Sequence, residues 1–108
     1  MDKTTYTIDS IASLNLPSEA KVFMVTYSSA YAEHQKVVRY LYKNIHNTWG
    51  HSMPIENYKG YFTNTGPEYC AYFVFTNPQD ILQFLLTVQH SNRQCLVPTG
   101  VKFTIHDY

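Results

Sequence analysis

Five histidines, two cysteines and ten tyrosines are the residues of this 108-residue chain with the most chemistry to offer. His46 and His51 flank Asn-Thr-Trp-Gly at an expected helix end, and no HExxH or paired CxxC supplies a metal-ligand spacing. Cys70 falls inside an apolar run, where a thiol packs, because a reactive thiolate needs a neighbouring cation, a histidine or a helix N-terminus. With Cys95 it fits no redox or disulfide framework, so both are expected to be free thiols of a reducing compartment. The acids Asp80, Asp107, Glu56 and Glu68 are dispersed and form no carboxylate pair. Four glycines make no phosphate loop. No catalytic residue, metal or cofactor is expected. His34, on an apolar stripe, should be a packed and hydrogen-bonded core residue, and His106 a solvated edge residue beside Lys102.

Composition sets the frame for these side chains. Apolar residues make up 44% of the chain, charged residues 15% and aromatics 16%, with a formal net charge of zero. A chain this apolar can bury a core without staples, which argues against disorder. Zero net charge gives no global field for nucleic acid or anionic membrane. Met1-Asp2-Lys3-Thr4-Thr5 is polar and leads into no long apolar run, so neither a signal peptide nor a membrane span is expected, and a cytoplasmic location follows as the default.

Residues 1–20 are expected to form an extension, with a short strand at Thr4–Ile8 and a turn near Ile11 before Pro17; residues 21–108 should form one domain. Lys21–Tyr27 is apolar at successive positions and predicts a strand covered on both faces. Ser28-Ser29 offers a cap for a helix from Ala30 to about Trp49, whose stripe is His34, Val37, Val38, Leu41, Ile45 and Trp49, with Gly50 as its stop. His51–Asn57 is expected as a loop. Tyr58–Thr63 and Glu68–Thr76 should pair as a hairpin around Asn64-Thr65-Gly66-Pro67. Asn77-Pro78-Gln79-Asp80 is a strong helix start, followed by Ile81, Leu82, Phe84, Leu85 and Val88 and an end near His90-Ser91-Asn92. The last strand is expected over Val101–Ile105.

That order, βαββαβ with short right-handed connections, predicts a ferredoxin-like α+β domain. Its four-stranded antiparallel sheet would run 4-1-3-2 with both helices on one face. If Val22, Met24 and Thr26 point to the helices, Phe23, Val25 and Tyr27 point away. They would join Cys70, Tyr72 and Val74 from the neighbouring strand in an open, aromatic patch of the kind soluble proteins keep covered. The N-terminal extension, a second chain or stacked bases could cover it. The candidate partner-binding residues are therefore Phe23, Val25, Tyr27, Cys70, Tyr72, Lys102 and His106.

Val22-Phe23-Met24-Val25-Thr26-Tyr27 and Tyr69-Cys70-Ala71-Tyr72-Phe73-Val74-Phe75 resemble the paired strand motifs of RNA-recognition-motif domains, as does the passage Phe75-Thr76-Asn77-Pro78-Gln79-Asp80-Ile81. The resemblance covers roughly residues 20–108 and implies base stacking on Phe23 and Tyr72. Where that family carries a cation, a glycine and a second stacking aromatic, this chain has Glu68, Tyr69 and Cys70. A carboxylate in place of the cation opposes phosphate contact.

Three functions follow as expectations. The first is a non-catalytic, regulatory interaction domain that docks another protein, or a second copy of itself, on the open sheet face; interface centres favour Tyr, Phe and Met and deplete Lys and Glu. The second is single-stranded RNA binding, disfavoured by neutral charge and Glu68. The third is a small-molecule enzyme built as a dimeric α+β barrel, its pocket lined by Tyr27, Tyr72, His106 and Cys70.

Overall fold

The computed structural model of the chain describes residues 4–27, 30–57, 68–88 and 90–108. In chain order the elements are β1 (Thr4–Ile8), a single 3-10 turn (Ile11–Ser13), β2 (Lys21–Tyr27), α1 (Ala30–Asn44), β3 (Trp49–Ser52), β4 (Ile55–Asn57), β5 (Glu68–Phe75), α2 (Pro78–Thr87), β6 (Asn92–Cys95) and β7 (Phe103–Asp107). The expected cap Ser28-Ser29, the strand Tyr58–Thr63 and the turn Asn64–Pro67 lie outside the described residues.

The class is α+β, but the sheet is not the four-stranded ferredoxin-like one. Six strands run in the order β1-β7-β3-β5-β2-β6, with every neighbouring pair antiparallel. β4 pairs the N-terminal end of β5, beyond β3. The last strand was expected beside β2. That place belongs to β6, whose Asn-Arg-Gln-Cys has no strand-like pattern and is held by backbone pairing to β2. β7 crosses to the other side of the sheet and lies between β3 and β1.

The second correction concerns the end of α1. Leu41, Ile45 and Trp49 continue the helical spacing, yet the helix stops at Asn44, with a last bond from Ile45 N–H to Leu41 C=O. Trp49-Gly50-His51-Ser52, expected as helix end and loop, is a strand buried at all four positions and bonded on both edges. Gly50 is there for clearance. A Cβ at this position would sit 2.5 Å from Ile105 Cδ1 and 3.1 Å from both Thr104 O and Val74 Cγ1. Where the β5 edge passes from β3 to β4, Ser52 Oγ accepts from Tyr72 N–H at 2.8 Å and keeps that donor satisfied.

Two cores lie on the two faces. On the helix side Phe23, Phe73, Phe75 and Trp49 meet Leu41 of α1 and Phe84 of α2. Phe84 is the anchor of α2, with ring centroids 4.8 Å from Phe75, 5.3 Å from Phe23 and 5.5 Å from Phe73. α2 starts as expected, Asn77 Oδ1 accepting from Gln79 N–H at 2.9 Å and Pro78 opening the first turn, but it ends at Thr87. On the far face Val22, Val74, Phe103 and Ile105 pack beneath Ile11, which is fully buried, with Tyr6, Ile8, Leu14 and Leu16 around it. The first twenty residues thus provide both a sixth strand and the cover of that face.

Replacing Gly50 with Ala should cost about 1–3 kcal/mol, because the added methyl overpacks a site bounded partly by backbone. Urea denaturation of Gly50→Ala beside the exposed control Lys36→Ala measures this; equal midpoints would contradict the close approach.

Candidate functional site

Residues directly opposite each other in an antiparallel pair share a face. β2 and β5 pair with Phe23 opposite Phe73 and Val25 opposite Ala71. That register puts Phe23, Val25 and Tyr27 under the helices, the reverse of the expected phase, and all three are buried. Cys70 and Tyr72 do lie on the other face; Cys70 is buried and Tyr72 is half-buried against the cluster that Ile11 covers. Lys102 is exposed just ahead of β7. His106, expected at a solvated edge, is buried on the helix side of β7. The seven candidate residues therefore do not converge on one surface.

Tyr27, His34, His51 and His106 form instead a polar seam through the helix-side core. Tyr27 OH lies 3.2 Å from His34 Nδ1, and burial, aided by the Glu33 carboxylate, pushes that phenol well above its ordinary pKa, so it stays protonated. His34 was expected as a hydrogen-bonded core histidine and is one. Its ring lies 5.8 Å from His51, which stacks on His106 at 5.2 Å with Nε2 to Nε2 at 3.1 Å. His106 Nδ1 reaches Thr5 Oγ1 at 3.2 Å, and its ring stacks on Trp49 at 4.6 Å. At the other end His90 Nε2 meets Glu33 Oε2 at 2.6 Å.

One proton lies between the Nε2 atoms of His51 and His106, so the two rings cannot both become imidazolium in this geometry. Burial, then the neighbouring imidazole, lowers His34 and His51 to about 4 each, and the polar backbone of Ser52 offsets only part of this. Both are neutral at pH 7. With His34, His51 and His106 only 3%, 9% and 5% exposed, no substrate reaches them while the core is closed. Among the described residues no group of three or more His, Cys, Asp or Glu is placed to hold a metal ion. No described helix is long and apolar enough to cross a membrane.

The accessible feature lies on the opposite side of the helices. Leu82, Leu85 and Leu86 of α2 are 58%, 44% and 78% exposed. Leu82 and Leu86, with Gln79, Gln83, Thr87 and Tyr40 of α1, line a cleft of about 340 Å³. A second cleft, lined by Lys36, Val37, Tyr40, Thr87, Val88 and His90, shares Tyr40 and Thr87 with the first, so the two form one seam between α1 and α2. The Tyr40 hydroxyl accepts from Gln83 Nε2 at 3.0 Å and Thr87 Oγ1 at 3.2 Å, and this clamp fixes the spacing of the helices. The sequence carried a signal for this surface. Ile81, Leu82, Phe84, Leu85, Leu86 and Val88 span more of a helix circumference than one contact with a sheet can bury.

Comparison with known protein families, curated proteins and solved structures finds no significant match to this chain.

The histidine seam makes stability depend on pH. An unfolded imidazole titrates near 6.5, whereas His34 and His51 titrate near 4 when folded. Between those values the unfolded chain binds protons that the folded chain refuses. Stability is therefore full above about pH 6.5 and is lost as pH falls toward about 4. Between about pH 7.5 and pH 5, His51 alone should account for about 2 kcal/mol. Urea denaturation at both pH values should show a steeper loss in the parent than in His51→Phe, which leaves the carboxylates unchanged; parallel slopes would contradict the assignment.

Proposed function

We propose that this chain is a non-catalytic interaction domain that binds a helix of another protein along the seam between α1 and α2. The observation that carries this reading is the exposure of Leu82, Leu85 and Leu86 on a helix whose outward residues Gln79 and Gln83 are uncharged. Interface centres are depleted in charge, and leucines at i and i+4 are the usual anchors of helix-to-helix contact. A ten-residue helix offers a contact about 15 Å long. That suits one helix better than the roughly 800 Å² per partner of a stable globular interface. Cys70 and Cys95 are both free thiols, which supports a reducing, cytoplasmic setting.

The interaction reading thus moves from the sheet to the helices. RNA binding by base stacking has less support, because Phe23 is only 5% exposed and packs on Phe84. A dimeric barrel would need the far face, which carries Ile11, Leu14 and Leu16.

A short amphipathic helical peptide with a leucine stripe and neutral flanks is the probe, with fluorescence anisotropy as the readout. Leu82→Ser/Leu86→Ser should weaken its binding about tenfold or more, as truncation of interface anchors does. Leu96→Ser, at a still more exposed leucine in the β6–β7 connection, should leave it unchanged. Loss of equal size in both variants, or no binding to the parent, would remove the reading.

A further inference from the structure

The α1 wall of the seam differs from the α2 wall in charge. Lys36, Arg39 and Lys43 are exposed and stand at i, i+3 and i+7, one stripe of the helix. Tyr40 flanks this stripe, and its bonds to Gln83 and Thr87 face it toward α2, so that the stripe forms the outer rim of the seam on the α1 side. Lys36 itself lines the cleft. None of the three cations meets a carboxylate among the described residues: Glu33 is engaged by His90, and Asp80 is buried and accepts from Asn47 Nδ2 at 3.1 Å. The seam therefore has an apolar, uncharged α2 wall and an α1 rim of three cations that no described carboxylate pairs, with Glu33 held on His90 at the end of the cleft, on a chain whose net charge is zero.

We infer that the helix this seam takes is an acidic amphipathic one, with an apolar stripe against Leu82 and Leu86 and carboxylates along the flank that meets Lys36, Arg39 and Lys43. The inference rests on the docking seam proposed above and adds the chemistry of its partner. Charge complementarity at the edge of an apolar contact selects among partners more than it adds affinity. A second copy of the chain is a poor occupant, because a two-fold contact across the seam would bring each basic stripe toward its own image. An anionic membrane fits less well, since the polar Tyr40–Gln83–Thr87 clamp forms the floor of a concave seam that a bilayer would leave uncovered.

Two peptides with the same leucine stripe, one flanked by Glu and one by Lys, test this by anisotropy on the full chain. The Glu-flanked peptide should bind the parent about tenfold or more tightly, and that preference should shrink as salt screens it. Lys36→Gln/Arg39→Gln/Lys43→Gln should bind both peptides alike, with single Gln variants giving part of the effect if the triple variant folds poorly. Equal affinity of the parent for both peptides, still lost in Leu82→Ser/Leu86→Ser, would overturn the acidic partner and leave the seam standing. Binding of neither peptide would remove seam and partner together. Equal peptide affinities combined with binding to phosphatidylserine vesicles, abolished by the same leucine and Gln variants, would also overturn it and assign the surface to lipid.

Discussion

A four-residue strand, Trp49–Ser52, joins the two halves of this sheet, and its burial on both faces constrains what surrounds it. On one edge it pairs β5 and through β5 the strands β2 and β6; on the other it pairs β7 and through β7 the strand β1. Its side chains have to serve two cores at once. Trp49 and His51 enter the helix-side core, while Gly50 gives way to Val74 and Ile105 on the far face. The missing Cβ leaves the space over β3 that the Val74 and Ile105 side chains occupy.

The same strand explains where the polar chemistry went. Trp49 lies stacked between His106 and Phe75, and His51 sits one pleat on, so two imidazoles are buried among aromatic rings. His51 stays neutral because burial opposes its charge, and its Nε2 meets that of His106 across one shared proton. This is structural chemistry. It ties α1, β3, β7 and β1 together through His34, His51, His106 and Thr5. The outer sides of the helices meet it at His90, which packs on Tyr27 and lines the cleft beside Lys36. Phe84 and Leu41 seal the core, leaving Leu82 and Leu86 opposite a basic flank of α1.

Much of the local structure was legible. The cap Asn77-Pro78, the stripe His34–Val37–Leu41–Ile45 and the adjacency of β2 and β5 follow from patterns that act within one element or one pair. Other elements were legible only in part. Trp49 obeys the helical spacing and Gly50 resembles a stop, so the strand they form looked like the end of α1. Asn92–Cys95 has no apolar alternation, because an edge strand bonded through its backbone needs none. The candidate site failed on phase. β2 is apolar at successive positions, so nothing within it says which alternate set faces the helices, and a shift of one residue exchanges the faces.

By itself, the sequence determined that this is an α+β domain with an apolar centre and two helices. These are properties of composition, periodicity and caps, which are written in neighbouring residues. Only the tertiary structure decided which edge β7 joins, which face Phe23 and Tyr27 enter, that Ile11 closes the far side, and that the histidines meet. Each of those outcomes depends on pairing between residues distant in the chain, where the free energy comes from register and contact. The exposed leucines belong to both kinds: Ile81, Leu82, Phe84, Leu85 and Leu86 on one helix required that some remain outside, and the position of Tyr40 against Gln83 and Thr87 decided which.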